Sequence, residues 1–360
     1  MDRSKPQQIV FLCPYPQGEA PSQRFRFEQY LDILTQKGYR YRVEGFLDKK
    51  TKRILYQPGH AIKKLLGVFK GFLRRFLLLP SLSRADYVFI HREATPLGPP
   101  FIEWIIAKVL KKKIIYDFDD AIWLPDSSGV NQFMVLLKWQ QKVASICRWS
   151  YKISCGNDYL RSFARQYNAQ VVLNPTTIDT EHYHKQLKNQ ADIPITIGWT
   201  GSHSTMKYLY PIEGVLQNLA RKYDFRFVVI SDRPPEMKLE NLHFIPWKEV
   251  SEVEDLLQLH IGIMPLPDDA WAKGKCGFKA LQYLSLGIPA LVSPVGVNAK
   301  IVAQGVNGYL CSSDQEWYDG LSKLLNDQEL RRRMGTAGRK KVEEEYSVKA
   351  NTRNFLGLFE

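Results

Sequence analysis

Three carboxylates stand within four positions in residues 116–120 (YDFDD), directly after an apolar run. Like charges this close together repel one another, so the cluster is costly and calls for a functional explanation. It could bind a metal, act as a base or accept hydrogen bonds from sugar hydroxyls. No histidine or further carboxylate of clear ligand spacing accompanies it, so a metal is not required. We therefore select Asp119 and Asp120 as candidate catalytic residues.

His91 is the third candidate catalytic residue. It opens the sequence His91-Arg92-Glu93 after another apolar run, where a strand is expected to end. Histidine serves as an acid or base near neutral pH. The alternative is a histidine with a purely structural role.

The most informative segment covers residues 261–297. An apolar run leads into a loop that holds Lys273, Lys275 and two glycines, and an apolar helix is predicted to begin near Gly277. Amide groups at the start of a helix, together with lysines, form a site for a diphosphate. Gln282 stands about one turn into that helix, where its amide could bond ribose hydroxyls.

A second loop of small residues, 200–205 (TGSHST), lies between a predicted strand and a predicted helix. Small residues expose backbone N–H groups at a helix start, which suits a phosphate. The loop is neither a Gly-x-Gly-x-x-Gly nor a Walker motif. The alternative is an ordinary helix capped by serine and threonine.

The first apolar run ends in a loop that contains Gly18, followed by Arg24 and Arg26 near a predicted helix start. Glycine allows close approach of the backbone to a ligand. The helix dipole repels cations at this end, so the two arginines are expected to bind an anionic group of a donor or acceptor. The alternative is that both are surface residues.

The excess of positive over negative charge is confined to the first half of the chain. Residues 1–190 carry 30 Lys and Arg against 16 Asp and Glu, whereas the remaining residues carry 20 against 21. Residues 49–84 hold ten basic residues and no acid. Such a field attracts anionic surfaces, namely nucleic acid, anionic lipid or a phosphorylated glycan.

Residues 62–77 have the apolar periodicity of an amphipathic helix, with basic side chains elsewhere on its surface. This pattern suits a helix that lies on an anionic membrane. The alternative is a helix whose apolar stripe packs on a sheet and whose basic face is solvated. No nucleic-acid-binding signature accompanies the charge, so we expect no nucleic acid partner. The candidate membrane residues are Lys63, Lys64, Phe69, Lys70, Phe72, Arg74, Arg75 and Phe76.

These segments must be positioned by strands, because short apolar runs alternate with helical stretches along the chain. Two sets of about six runs predict two tandem doubly wound α/β domains, with ligands bound in a cleft at the carboxyl ends of their strands. We place the domains at residues 1–180 and 190–335, followed by helices over 336–360. The runs are 9–13, 39–44, 87–91, 114–117, 153–155, 171–173, 195–199, 225–230, 243–245, 261–264, 290–293 and 309–311.

Cysteine usage and the N-terminus bear on location. The five cysteines lack paired short spacing, which favours a reducing compartment. The first residues do not form a signal peptide, and no run reaches the ~18 apolar residues that span a bilayer. We therefore expect a cytoplasmic protein, peripheral on the inner face of the cell membrane.

The stretch 275–297 resembles the nucleotide-sugar site of the retaining family 4 glycosyltransferases, which have the GT-B fold. The Gly-Phe pair, the apolar helix, the Gly-Ile-Pro turn and the Ser-Pro-Val-Gly after it occur in the same order. The segments at 24–26 (RFR), 117–120 (DFDD), 198–202 (GWTGS), 307–310 (NGYL) and 345–347 (EYS) fit the same group. The resemblance covers nearly the whole chain and is most specific in the second domain.

The resemblance implies transfer of a sugar from a nucleotide diphosphate to an acceptor hydroxyl, with retention of the anomeric configuration. The acceptor, a glycan or lipid-linked precursor, would bind the first domain, and the final helix would cross back onto that domain. No cofactor is implied, and a divalent metal is dispensable. The donor residues implied are Gly201, Ser202 and Thr205 beside the phosphates, Lys275, Gly277, Phe278 and Lys279 on the diphosphate, Gln282 on the ribose and Trp247 beside the base.

Two positions depart from the family. Members often carry two glutamates eight positions apart, where this chain has Gly274 and Gln282. The departure leaves room for a catalytically inactive donor-binding membrane scaffold. A nucleotide-sugar epimerase of the same fold is a further alternative, and it would not need the basic amphipathic helix.

Overall fold

The computed structural model describes residues 6–55, 57, 59–125 and 139–360. The chain forms two compact units, the first made of Met1–Thr176 with Thr352–Glu360 and the second of Thr177–Asn351. The boundary therefore falls a few residues before the predicted one, and the predicted C-terminal segment is divided between the units. The dividing point lies inside the helix Val348–Leu356.

The first unit contains a parallel sheet of six strands in the order β2-β1-β3-β4-β5-β6. Strands buried on both faces explain the nearly continuous apolar runs in the sequence. The strands are β1 (Gln8–Cys13), β2 (Arg40–Gly45), β3 (Tyr87–His91), β4 (Lys113–Phe118), β5 (Lys152–Cys155) and β6 (Val171–Leu173).

Helices connect these strands as right-handed crossovers require. The helices are α1 (Pro21–Arg24), α2 (Leu31–Gln36), α3 (Lys49–Leu55), α4 (Ala61–Leu82), α5 (Phe101–Trp104, continued as a π-helix over Ile105–Val109), α6 (Lys142–Trp149) and α7 (Asp158–Arg165). The last residues complete the core: the Phe355 ring stacks on Tyr30 at 4.2 Å, and the Phe359 ring meets Phe89 at 6.3 Å.

Helix α4 does not pack on the first unit through its apolar stripe. A Cβ atom at Gly67 would meet Thr51, and one at Gly71 would meet Phe46, so these glycines face inward. Arg75 lies on the same side and is buried. The apolar stripe is therefore exposed, and the alternative in which it packs on a sheet is wrong.

Three predicted membrane residues of α4 contact the protein instead. Arg75 donates to the carbonyl oxygens of Cys13 at 2.9 Å and Ala94 at 2.8 Å. Phe72 packs edge-on against Phe46, with ring centroids 5.3 Å apart. Arg74 donates to the Gly45 carbonyl oxygen at 3.1 Å. These contacts correct the prediction for Arg75 and Phe72, because Gly67 and Gly71 let this side of the helix pack closely against Thr51 of α3 and against Phe46.

The second unit contains a parallel sheet in the order β12-β11-β10-β7-β8-β9. Its strands are β7 (Thr196–Thr200), β8 (Arg226–Ser231), β9 (Leu242–Pro246), β10 (Ile261–Met264), β11 (Ala290–Val292) and β12 (Gly308–Leu310). Its core packs Trp199, Phe227 and Ile263 among aliphatic side chains from the flanking helices.

The helices of this unit follow the same alternation with the strands. They are α8 (His203–Met206), α9 (Glu213–Ala220), α10 (Glu252–Leu256), α11 (Ala270–Lys273), α12 (Phe278–Ser285), α13 (Asn298–Ile301), α14 (Asp314–Asn326), α15 (Gln328–Lys341) and α16 (Val348–Leu356), whose residues from Thr352 onward belong to the first unit. Within the described ranges, none of the helices combines the length and apolar character needed to cross a bilayer.

Candidate functional site

The carboxylate of Asp117 is the centre of a buried polar network at the carboxyl end of the first sheet. It forms an ion pair with Arg26, which also donates to the Asn174 carbonyl oxygen. His91 Nδ1 lies 2.8 Å from Asp117 Oδ2, and the Ser154 hydroxyl donates to Oδ1 at 2.6 Å. All of these side chains are buried, so the network is a fixed part of the unit.

Two opposing effects act on the pKa of Asp117. Burial alone would raise it, but the charge of Arg26 and the hydrogen bonds from His91 and Arg26 outweigh burial and hold the pKa well below its usual range. Asp117 is therefore ionised, and Arg26 and His91 are held in place by their bonds to its carboxylate. This corrects the prediction for Arg26, whose guanidinium neutralises an internal carboxylate rather than facing a ligand.

Arg92 joins the two candidate catalytic carboxylates that follow β4. Its Nε donates to Asp119 Oδ1 at 2.7 Å, and its Nη2 donates to Asp120 Oδ2 at 2.6 Å. Both carboxylates are mostly covered, and their charges raise the pKa of the arginine although burial acts the other way. The arginine therefore removes much of the repulsion that made the cluster costly.

The backbone of Arg92 is held in an unusual conformation. Its φ is 61°, in the left-handed region that non-glycine residues seldom adopt. The Arg92 N–H donates to the Asp117 carbonyl oxygen at 2.7 Å, and the Tyr116 hydroxyl donates to the Arg92 carbonyl oxygen at 2.8 Å. Such strain is common at functional sites. Sequence reasoning missed Arg92, although its place between His91 and Glu93 after a strand was visible.

The Gly18 loop has its own internal contacts. Gly18 has a φ of 81°, and its N–H donates to Glu28 Oε2 at 2.9 Å. Burial raises the pKa of Glu28, while bonds from Gln23 and Gly18 act against that rise. The guanidinium of Arg24 is half-buried and lies 5.1 Å from the Phe25 ring centroid. Gly18 and Arg24 stay predictions as anion-binding residues.

In the second unit, helix α12 begins at Phe278 with Gly277 as its N-cap, in the segment predicted to hold a diphosphate. Gly277 has a φ of 68°, and a Cβ there would meet Ile301 Cδ1 at 2.2 Å, so only glycine fits. The preceding lysines are held separately. Lys275 lies over the Trp271 ring at 5.2 Å, and Lys273 pairs with Asp268 at 3.0 Å.

The loop after β7 lies against the same helix. A Cβ on Gly201 would meet the Trp199 ring at 2.5 Å and Lys279 Cε at 2.8 Å, and Lys279 Nζ lies 5.4 Å from the Trp199 ring centroid. The Thr200 N–H donates to the Tyr283 hydroxyl at 3.0 Å. The structure therefore brings together Gly201, Lys279 and the start of α12, which the sequence assigned to one donor site.

Gln282 and Trp247 meet at a carboxylate that sequence reasoning did not select. Gln282 Nε2 donates to Glu252 Oε1 at 3.2 Å, and the Trp247 indole N–H donates to the same oxygen at 3.3 Å. The Tyr183 hydroxyl donates to Oε2 at 3.3 Å. Glu252 is almost fully buried at the start of α10, and only its place in an acidic helical segment was visible in the sequence.

Ser202 and Thr205 organise the short helix α8. The Thr205 hydroxyl donates to the Ser202 carbonyl oxygen at 3.0 Å. Beside them, His203 contacts Asp232 through its backbone N–H and its Nδ1, both at 2.6 Å. Burial acts to raise the pKa of Asp232, but the bonds from His203 lower it. Asp232 directly follows β8. Its place after a predicted strand is the sequence signal that could have identified it.

The arrangement of acids and histidines bears on metal binding. Across the residues that the structure describes, no group of three or more His, Cys, Asp or Glu side chains is placed to hold a metal ion. The five cysteines are buried thiols, and burial raises the pKa of Cys13 to about 12.

A family model described as Glycosyl transferases group 1 matches residues 235–341. The matched range lies inside the second unit and includes α10, α12 and the contact between Gln282 and Glu252. No curated protein sequence matches the chain.

Solved structures match nearly the whole chain at low identity. A glycosyltransferase from Rickettsia africae is 11% identical over 98% of each chain, with a TM-score of 0.70. Anabaena HepE in complex with UDP-glucose is 12% identical over 98% of this chain and 99% of that one, with a TM-score of 0.69. Sucrose-phosphate synthase from Thermosynechococcus elongatus is 11% identical over 98% of each, with a TM-score of 0.67. The predicted fold class is confirmed.

Proposed function

We propose that this chain, which has the GT-B fold and carries a glycosyl transferases group 1 domain, is a retaining glycosyltransferase. It moves a sugar from a nucleotide diphosphate sugar to an acceptor hydroxyl. The observation that carries the proposal is the convergence of Gly201, Lys279 and the start of α12 within one unit.

The donor diphosphate binds at the start of α12. Helix N-termini favour anions because their amide groups and dipole both attract negative charge. Lys275 and Lys279 add positive charge, and the absence of a side chain at Gly201 lets the loop after β7 pack against Trp199 and Lys279. Ser202 and Thr205 follow Gly201 in the chain at the start of α8.

Gln282, Trp247 and Glu252 recognise the nucleoside. Glu252 fixes the amide of Gln282 and the indole of Trp247 through hydrogen bonds. The Gln282 carbonyl oxygen can then accept from ribose hydroxyls, and the Trp247 ring flanks the base. Glu252 also supplies a carboxylate beside Gln282, whose own side chain is uncharged.

The acceptor binds in the first unit. Arg92 presents Asp119 and Asp120 together at the carboxyl end of β4, where they position the acceptor hydroxyl or the sugar. His91, at the end of β3, is held by Asp117 inside the unit and supports this region from below the surface. We assign no metal to this reaction.

The acceptor is a lipid-linked or phosphorylated glycan precursor, and the enzyme works as a peripheral protein on the cytoplasmic face of the membrane. Two features support this location. The excess positive charge lies in the first half of the chain, and the apolar side of α4 is exposed. Both favour an anionic lipid surface.

A donor-binding scaffold without turnover is the second candidate. Gly274 and Gln282 favour it, because neither position offers a carboxylate of its own. The two candidates agree on donor binding and differ only in whether sugar is transferred.

A thermal-shift screen against UDP-, GDP-, ADP- and TDP-sugars tests the proposal. A donor at ~100 times its Kd stabilises the protein by about 2.7 kcal/mol. Lys275→Ala should weaken donor binding roughly 10- to 100-fold, since a charge-assisted phosphate contact contributes about 1.5–3 kcal/mol. Lys222→Ala is the matched control, because Lys222 lies over the Tyr223 ring at 5.3 Å much as Lys275 lies over Trp271.

Turnover separates the two candidates. The donor that gives a shift is incubated with lipid-linked acceptors, and the anomeric configuration of the product is read by NMR. A product with retained configuration supports the transferase, whereas donor binding with no product supports the scaffold. No shift with any donor, in a protein that melts cooperatively, would contradict donor binding itself.

A further inference from the structure

The exposed side of α4 forms an apolar surface on the first unit. Seven large apolar side chains of this helix are exposed, and Ile62, Leu65 and Leu77 each have at least 70% of their surface accessible. Soluble monomers seldom expose so many apolar side chains together, and such patches mark interaction sites. The seven are Ile62, Leu65, Leu66, Phe69, Leu73, Phe76 and Leu77.

The surface continues onto the next helix. The Phe76 ring lies 6.3 Å from the Phe101 ring, and Phe101 stacks on Trp104 with centroids 6.1 Å apart. Phe101, Trp104 and Val109 are themselves exposed. These two helices supply ten of the sixteen large apolar side chains that are exposed in the described part of the chain.

Positive charge borders this surface. Lys63 and Lys70 flank the apolar stripe on α4, and Lys108 and Lys111 lie beside Val109; all four are exposed. Residues 49–84 contain no acid. The one acid of the 101–113 segment, Glu103, is fully buried and accepts a bond from the Ala94 N–H at 3.0 Å.

The pattern fits a lipid bilayer better than a protein. Exposed Phe and Leu can enter the boundary between headgroups and acyl chains, and tryptophan is enriched at that depth. Lysines at the border meet anionic headgroups, each worth about tenfold or less in affinity near the surface. A second copy of this chain would bring two strongly positive surfaces together.

We propose that the exposed face of α4 and the Phe101–Trp104 helix together form one docking surface for an anionic bilayer. Phe69, Leu73 and Phe76 of α4 and Phe101 and Trp104 of α5 insert at the same depth. Lys63, Lys70, Lys108 and Lys111 contact the headgroups. The proposal names the surface behind the membrane location given above, and bilayer binding requires neither donor nor turnover.

Co-sedimentation of the full chain with vesicles tests the surface. The vesicles contain phosphatidylcholine with 30% phosphatidylglycerol, and phosphatidylcholine alone is the comparison. We expect binding to the anionic vesicles that weakens as salt rises. Phe69→Ser/Leu73→Ser and, separately, Phe101→Ser/Trp104→Ser should each reduce binding at least tenfold. Ile193→Ser/Val250→Ser, at two highly exposed apolar positions of the second unit, should leave binding unchanged.

Each outcome has a clear meaning. Loss of binding in only the α4 pair would overturn the composite surface, and unchanged binding in both pairs would overturn the docking surface altogether. A dimer in lipid-free buffer that either pair dissociates, seen by light scattering, would assign the surface to a second copy. Donor thermal shifts measured without vesicles report on the proposed enzyme separately, so either proposal can fail alone.

Discussion

Two arginines neutralise the three carboxylates at the end of β4. Arg26 pairs with Asp117 inside the unit, and Arg92 holds Asp119 and Asp120 nearer the surface. A buried charge that loses its partner costs several kcal/mol, so these pairs fix the local structure. The cluster is therefore divided into a structural carboxylate and two that remain within reach of a ligand.

Replacement of Arg92 by lysine tests the role of the bridge. Lysine keeps the charge but cannot donate to Asp119 and Asp120 from a planar fork. We expect Arg92→Lys to lower kcat at least tenfold while the donor-induced thermal shift stays unchanged. Arg84→Lys, outside the network, is the control. Equal kcat in Arg92→Lys and the wild type would show that the bridge does not position the acceptor side.

His260 gives the second unit a specific pH dependence. Its Nδ1 accepts from the Thr196 N–H at 3.1 Å, and its Nε2 donates to the Asp192 carbonyl oxygen at 2.9 Å, so the neutral ring fits the site. Burial, followed by the charges of Lys188 and Arg331, lowers its pKa from 6.5 to about 4.

The sign of the effect follows from the lowered pKa. As the pH falls below 6.5, His260 becomes protonated in the unfolded chain, but in the folded unit it stays neutral until about pH 4. The free energy of unfolding therefore decreases as the pH falls through this interval. The loss is on the order of 2–4 kcal/mol, at about 1.4 kcal/mol per pKa unit. Urea unfolding at pH 7 and pH 5 measures the part of this loss that falls above pH 5, about 2 kcal/mol. His260→Gln should flatten the dependence, whereas His243→Gln, at an exposed position of β9, should not.

At the scale of elements, the sequence predicts the strands well. All twelve predicted runs coincide with strands to within about a residue at each end. The inner strands are apolar because both of their faces are buried, whereas the edge strands β2, β6 and β9 are only partly covered. The connecting helices follow from the alternation. The orientation of α4 could not be predicted, since periodicity locates a stripe without saying which side packs. The side that packs is the one with Gly67 and Gly71, because their missing side chains leave room for Thr51 and Phe46.

The site was predicted less completely than the strands. Gly201, Gly277 and Lys279 belong to local segments whose composition indicates a phosphate site. Glu252 contacts Gln282, which is 30 positions away in the sequence. Arg92 contacts two carboxylates that are 27 and 28 positions away. No local sequence pattern predicts such distant pairs. The prediction for Arg26 was wrong for the same reason. Its partner Asp117 lies 91 positions away in the sequence, so the sequence did not reveal the ion pair.

Gly201 tests how tightly the loop after β7 must pack on α12. An added Cβ would lie 2.5 Å from the Trp199 ring, which is buried and cannot move aside. We expect Gly201→Ala to destabilise the second unit by about 1–3 kcal/mol and to weaken donor binding. Gly214→Ala is the matched control, because nothing lies within 4 Å of its added Cβ on α9. That variant should gain up to about 1 kcal/mol. Equal melting temperatures in the two variants would contradict the packing.

At the scale of the molecule, the first unit depends on residues far along the chain. Phe355 stacks on Tyr30, and Phe359 contacts the rings of Phe11, Tyr87 and Phe89. Lys152 and Tyr151 donate to carbonyl oxygens of residues 357 and 360. Residues Thr352–Glu360 therefore form part of the core of the first unit.

Phe355→Ala should destabilise the first unit selectively. Removing a buried phenylalanine side chain costs about 3–5 kcal/mol. Hydrogen exchange followed by mass spectrometry should show faster exchange in β1 and β3, with β7 and β10 unchanged. Arg353→Ala, at an exposed position of the same helix, should exchange as the wild type. Equally fast exchange in both units would show that the effect is not confined to the first.

Because Thr352–Glu360 belongs to the first unit, the order of synthesis differs from the order of completion. A ribosome translates all of Thr177–Asn351 before it supplies the piece that the first unit lacks. At about 5–20 residues per second, that interval lasts roughly 10–35 s. During it, the rings of Phe11, Tyr30 and Phe89 lack the aromatic partners that Phe355 and Phe359 later supply. We therefore expect the nascent first unit to expose aromatic surface of the kind that chaperones bind.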